Sequence, residues 1–298
     1  MQYRKIVIAG GSGYLGQVFA RYYAPKAKEV IVLSRHTNWD ASTEGTWTES
    51  LENADLLINC CGKNVNCRYT RRNRQAILRS RTRPTALLGR VIDKLAHPPK
   101  LWINITSATI YRHAEDRPQD EATGETGHGF SVDVCTRWER VFFAAADPRT
   151  RQVALRMGIV FGPKDGVFPR LLNLVKFGLG GRQGNGRQMV SWIHETDAAR
   201  ITEWLHHHPA ITGVVNATAP HAVTNKEQMR LIRNKRPGLP MPAWLLHLGA
   251  KIIGTEPELI LKSRWVRPQR LEENGFTWKY PHLEEAIAAA INCSFSKN

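Results

Sequence analysis

Unbroken apolar runs alternate with amphipathic stretches from residue 6 to residue 157, and each of the first four runs ends in small residues. Ile6-Val-Ile-Ala9 is a short run rich in β-branched residues, the pattern of a central parallel strand covered on both faces. Tyr14, Leu15, Val18, Phe19 and Tyr22 then recur at helical spacing until Pro25 stops them. Glu29-Val-Ile-Val-Leu33, Asp55-Leu-Leu-Ile-Asn59, Lys100-Leu-Trp-Ile-Asn-Ile105 and Gln152-Val-Ala-Leu-Arg-Met157 read as further strands. An arginine-rich helix separates the third strand from the fourth, and a helix through Val134, Trp138, Val141, Phe142 and Ala145 separates the fourth from the fifth. Such alternation predicts an α/β fold with a doubly wound parallel sheet.

Beyond Gly162-Pro163 the alternation fails and glycines cluster at Gly178, Gly180, Gly181, Gly184 and Gly186. The expected organisation is a Rossmann-type domain over 1–163 and a smaller substrate lobe with C-terminal helices over 164–298, some segments of which return to the sheet. Within that lobe Met189–His194 reads as one strand, Thr196-Asp197 as a helix start and Val214–Ala219 as a short strand. Thr224 with Glu227 has capping-box spacing. Trp244, Leu245, Leu248 and Ile252 fall at helical spacing.

The first strand, turn and helix carry the chemistry. Gly10-Gly11-Ser12-Gly13-Tyr14-Leu15-Gly16 fits two glycine registers, Gly11-x-Gly13-x-x-Gly16 and Gly10-x-x-Gly13-x-x-Gly16. Glycine lets the backbone bend, lets a pyrophosphate approach, and seats the helix close to the strand, whose N-terminus then faces the phosphates. The competing reading is a purely structural glycine turn. Ser34 and Arg35 follow the second strand, where an acid would hold ribose hydroxyls and an arginine suits a 2′-phosphate. That favours NADP(H); His36 is a further donor, and Asp40 an alternative ribose ligand. Cys60 and Cys61 form a small wall after the third strand. Ser107 and Thr109, with Tyr111, lie at the end of a central strand, at the mouth of the crevice where open α/β sheets bind ligands.

The formal charge of +16, from 42 Lys+Arg against 26 Asp+Glu, favours anionic ligands but establishes no nucleic-acid partner. Most arginines between Arg68 and Arg83 read as a solvated helix face. Five cysteines show no paired metal spacing, so reduced thiols and no metal are expected. Consecutive His206–His208 read as a helix end, and the acids between Glu115 and Glu121 as a solvated loop. No apolar run spans a bilayer and no signal-type segment precedes the first strand, which predicts a soluble cytoplasmic chain without membrane association.

Several ordered motifs add to this: Gly10 to Gly16, Leu33-Ser-Arg35, Ser80-Arg81, Trp138-Glu139, Gly178-Leu-Gly-Gly181, Gly184-Asn-Gly-Arg187-Gln188, Ser191-Trp-Ile-His194, Asn216-Ala-Thr-Ala-Pro220 and Pro268-Gln-Arg-Leu271. Through them the chain resembles the extended short-chain dehydrogenase/reductases, and more closely their atypical epimerase-family branch, the SDR39U1/YfcH-like proteins. The resemblance implies an NADP(H) site at Gly10 to Gly16, Ser34, Arg35, Cys60, Cys61 and Arg81. On the substrate side it picks out Arg187, Trp192 and His194.

The wider superfamily pairs a serine with Tyr-x-x-x-Lys on the following helix, the lysine tuning the phenol for proton transfer. Ser107 matches the serine, but alignment on Glu139 puts Ser131 at the tyrosine position and Cys135 at the lysine position. Tyr22-Tyr-Ala-Pro-Lys26 matches literally but sits at the end of the first helix. Tyr111 and His194 are the substitute acids, the alternatives being a packed aromatic and a loop anchor. Two functions follow: an oxidoreductase or epimerase acting on a small carbonyl or sugar-type substrate, or a catalytically degenerate NADP(H)-binding regulator with a protein partner. Arginines on one helix would repel their symmetry mates, which favours a monomer or weak dimer.

Overall fold

The computed structural model describes residues 2–35, 39–145, 147–246, 256 and 258–295; His36, Leu248 and Ile252 lie outside them. The first half runs β1 (Tyr3–Ala9), α1 (Tyr14–Tyr23), β2 (Ala27–Leu33), β3 (Leu56–Asn59), α2 (Arg71–Lys94), β4 (Leu101–Ser107), α3 (Phe130–Ala144) and β5 (Arg151–Met157). It continues through β6 (Ile159–Phe161), α4 (Phe168–Lys176), β7 (Met189–Val190), β8 (Trp192–His194), α5 (Glu195–His207), β9 (Gly213–Ala217), β10 (Val223–Thr224) and α6 (Asn225–Arg233). The last helices are α7 (Glu258–Leu261), α8 (Gln269–Glu273) and α9 (Leu283–Phe295).

Six parallel strands form one sheet in the order β2-β1-β3-β4-β5-β9. Every residue of β3 is buried, as its unbroken apolar run demands, whereas β2 at the edge leaves Lys28 and Glu29 in solvent. Val18 and Phe19 of α1 and Ile201 and Leu205 of α5 cover one face. Leu87 and Leu88 of α2 and Phe142 of α3 cover the other, joined by Trp39 and Trp47. A third core gathers Phe161, Phe168, Trp192, Met229, Leu283 and Ile287 in the C-terminal lobe. From β1 the chain goes to β2 on one side and later fills β3 on the other. The strand order therefore reverses between β1 and β3, where ligands bind such sheets.

The lobe departs from the expected elements in two places. Met189–His194 is two short strands broken at Ser191, because β7 pairs with β10 and β8 with β6. Helix α5 begins at Glu195, capped by His194 Nδ1, which accepts the Thr196 N–H at 3.1 Å. Asp197 does not cap: its carboxylate takes Arg200 and the backbone N–H groups of Lys279 and Tyr280, tying α5 to the chain ahead of α9. Thr224 does cap α6, accepting the Glu227 N–H at 3.2 Å. No helix of the described residues is long and apolar enough to cross a membrane.

Candidate functional site

The turn between β1 and α1 closes tightly. Gly10 and Gly11 both donate to the Leu33 carbonyl, at 2.9 and 3.2 Å, and Gly13 donates to Gly10. Gly10 has φ +74°, and a Cβ there would stand 2.9 Å from the Cys61 nitrogen. A Cβ on Gly16 would meet Gly11 Cα at 2.4 Å, so the helix could not seat against the turn. Helix α1 has no side-chain cap and no acid in its first turn. Ser12 at the turn is exposed, and Tyr14 and Leu15 pack partly against the sheet core. An uncapped helix N-terminus framed by glycine is suited to an anion.

Two walls extend this cradle. Ser34 is buried at the end of β2, and Arg35 is exposed beside it, near enough for its charge to act on the buried Cys61 thiol. Asp40 is not offered to a ribose; it accepts from Ser42 and Thr43, which hold its carboxyl well below the usual range. Burial pushes the Cys60 and Cys61 thiols up, so both are wall and not nucleophile.

Arg81 is the arginine of α2 that turns inward. Its guanidinium covers Gly62 and lies 5.4 Å over the Trp138 ring, and Ile77 and Ser80 accept from it. Among the described residues no carboxylate pairs with Arg81, which leaves its charge for a ligand. Its neighbours Arg71, Arg72, Arg74, Arg79 and Arg83 are exposed, as a solvated face requires. Asn59 underpins the wall, bonding Thr85, Asn104 and the Cys61 N–H, while Trp138 donates to the same Thr85.

At the mouth, Ser107 Oγ donates to Thr109 Oγ1 at 3.0 Å, so Thr109 keeps its own proton to donate. Tyr111 takes the packed-aromatic alternative and not that of an acid at the mouth. Its buried phenol donates to Asn216 at 3.0 Å and accepts from Arg156 at 2.9 Å, and burial raises its pKa. Arg156 pairs in turn with Glu139, which also accepts from Thr106. Tyr111 is therefore part of a packed network and not an acid at the crevice. Glu121 joins the same network by accepting the Asn216 N–H at 2.8 Å, so the acidic loop is not wholly solvated.

The substrate-side candidates do not converge. Trp192 is in the third core with its indole N–H on the His221 carbonyl. His194 caps α5 against Tyr280, and burial pushes its imidazole down to about 4. Arg187 is exposed on the lobe, in a cleft of about 430 Å³ with Arg182, Lys226 and Glu115.

Two residues that sequence patterns left unmarked lie against elements beside the mouth. The Tyr69 hydroxyl lies 3.5 Å from Ser131 Oγ, and Lys262 Nζ donates to the Thr109 carbonyl at 3.4 Å. The available signal for Tyr69 was Thr70, a good N-cap, which begins α2 at Arg71 and leaves Tyr69 in the loop from β3.

Residues 6–217 match the model of the NAD dependent epimerase/dehydratase family. The chain belongs to that family. A second model, a domain of unknown function, matches residues 241–290. The family member SDR39U1 of Mus musculus is 28% identical over 96% of this chain and 99% of its own. Epimerase family protein YfhF of Bacillus subtilis is 29% identical over 96% of this chain and 97% of its own. The human epimerase family protein SDR39U1, in a crystal structure with NADPH, superposes with a TM-score of 0.84. It is 26% identical, with 97% of this chain and 99% of that chain covered. This chain has Ser107 at the end of β4 and Ser131 and Cys135 on α3.

Proposed function

We propose that the crevice binds NADP(H) and that the protein is an oxidoreductase or epimerase acting on a small carbonyl or sugar-type compound. The observation that carries this is the uncapped, glycine-framed start of α1, whose Gly10 lies against Cys61, with Arg81 over the adjoining Gly62 and no carboxylate paired with it among the described residues. The human relative crystallised with NADPH supports the same choice of nucleotide. The N-terminus of α1 and Arg81 would hold the diphosphate, and Ser34 and Arg35 the 2′-phosphate. Bound NADPH would supply a hydride. The chain's own residues would then orient the substrate: Thr109, its oxygen already taking the Ser107 proton, donates to the substrate oxygen and fixes its position.

A second reading, a nucleotide-bound regulator without turnover, is favoured by one observation. Cys135 stands where the superfamily places a lysine, and burial pushes its thiol up to about 12, so it offers neither charge nor nucleophile. Calorimetric titration with NADPH and NADH tests the nucleotide site. NADPH should bind more tightly, and Arg35→Asp should erase that preference by about 10- to 100-fold, the worth of one charge-assisted contact. Equal binding of both nucleotides would remove the NADP assignment. NADPH oxidation across a carbonyl panel, abolished in Ser107→Ala, would separate the enzyme from the regulator.

A further inference from the structure

We propose that the Tyr69 phenol is the proton donor of this crevice, carried there by the loop ahead of α2. The inference rests on the hydride-transfer reading above and supplies the acid which that reading lacks. Protonating an oxygen held at Ser107 and Thr109 needs a donor within hydrogen-bond reach of the mouth. Tyr111 is engaged with Asn216 and Arg156, His194 is buried as the cap of α5, and Cys135 is a buried thiol.

Three contacts hold Tyr69 in place. Its backbone N–H donates to Glu256 at 2.7 Å, its ring stands edge-on to Phe130 with centroids 4.8 Å apart, and its hydroxyl lies 3.5 Å from Ser131 Oγ. Ser131 is in the first turn of α3, and that turn packs through Val132 and Cys135 on Ala108 and Ile110, immediately after Ser107. Lys262 donates to the Thr109 carbonyl at 3.4 Å. The phenol on Ser131 and the ammonium on the Thr109 carbonyl are thus both held by elements next to Ser107.

The charged groups acting on the phenol are Arg264 and Arg81, opposed by Glu258, and the Cys67 thiol also acts on it. Glu256 binds its backbone, and Arg74 lies beyond Phe130. Burial outweighs the cations and raises the phenol above its ordinary value, so it stays protonated at neutral pH. That suits reduction. The carbonyl carbon accepts a hydride from NADPH while the C=O π pair moves to oxygen. The Tyr69 O–H bond breaks, its proton joins that oxygen, and the phenolate is reprotonated by solvent. The products are an alcohol and NADP⁺.

The test needs no identified substrate. Replacing the seven tyrosines with 3-fluorotyrosine gives one fluorine resonance that is missing in Tyr69→Phe, and its titration reports this phenol alone. With saturating NADP⁺, whose ring is cationic, the phenol should titrate about one pH unit lower than with saturating NADPH. Calorimetry should find NADPH affinity in Tyr69→Phe within about 2-fold of the native chain, since the loop serves proton transfer and not nucleotide binding. Identical titrations in the two nucleotide states would overturn the inference and leave nucleotide binding standing. Failure of the native chain to bind NADPH would overturn both. For any carbonyl compound that is reduced, Tyr69→Phe should lower kcat by about 100-fold with KM little changed, and an unchanged kcat would also overturn it.

Discussion

Arg156 is where a single side chain decides the most. Thr106, Arg156 and Asn216 are direct neighbours across β4, β5 and β9, all turned to the face that α3 covers. Arg156 bonds Glu139 through two nitrogens, at 2.9 and 2.7 Å, and reaches Tyr111 with a third. Both ion-pair partners are nearly out of solvent, so removing one leaves the other charged and buried. Arg156→Leu should therefore cost about 3–5 kcal/mol in urea unfolding, and adding Glu139→Gln should recover part of it. A loss below about 1 kcal/mol would mean that water reaches the pair. The same residues explain why sequence left Tyr111 open between an acid at the mouth and a packed aromatic. Spacing put it four residues beyond Ser107, at the mouth, but its direction depends on partners 45 and 105 positions away. Contacts of that range leave no periodic trace, whereas Gly16 was legible because its constraint, against Gly11, is local.

Between elements, the join of β8 to α5 turns on one imidazole. His194 Nδ1 accepts the Thr196 N–H, so a proton on that nitrogen would remove the cap as well as bury a charge. Burial lowers the group from 6.5 to about 4, opposed by Asp197. Between those values the unfolded chain binds a proton that the native chain does not. Stability from this residue is thus complete above pH 6.5 and is lost as pH falls toward about 4, by roughly 1 kcal/mol per pH unit. His194→Asn keeps a capping acceptor and removes the titration. Its unfolding free energy should fall less steeply than the native chain's through that window, and parallel slopes would show that the imidazole is not held neutral. The sequence located this junction, with Thr196-Asp197 as the helix start, but not the cap at His194. Thr196-Asp197 has the right composition, yet Asp197 is claimed by Lys279 and Tyr280, which only the folded lobe brings near. Thr224, whose partner is three residues away, was read correctly.

Across the whole molecule, the alternating runs made the sheet legible from β1 to β5, because every crossover there is local and each strand is apolar enough to announce itself. The return of β9 beside β5 was foreseen only in outline, since Gly213–Ala217 is short and its partner lies about sixty residues earlier. That return determines how the lobe is attached. Ile193 of β8 enters the core under α1 and α5, while its neighbour Trp192 enters the lobe's own core. Tyr14 of α1 also donates to Glu195 at the start of α5, across Gly162. With two cores meeting at adjacent residues of one strand, the lobe has no boundary at which to open alone. Pulse-labelled amide exchange in rising urea should accordingly find Leu101–Ser107 of β4 and Asn225–Arg233 of α6 becoming exposed at the same concentration. Earlier exposure of α6 would make the lobe a separate unfolding unit. The crevice would then have one rigid wall, on the sheet, and one able to yield.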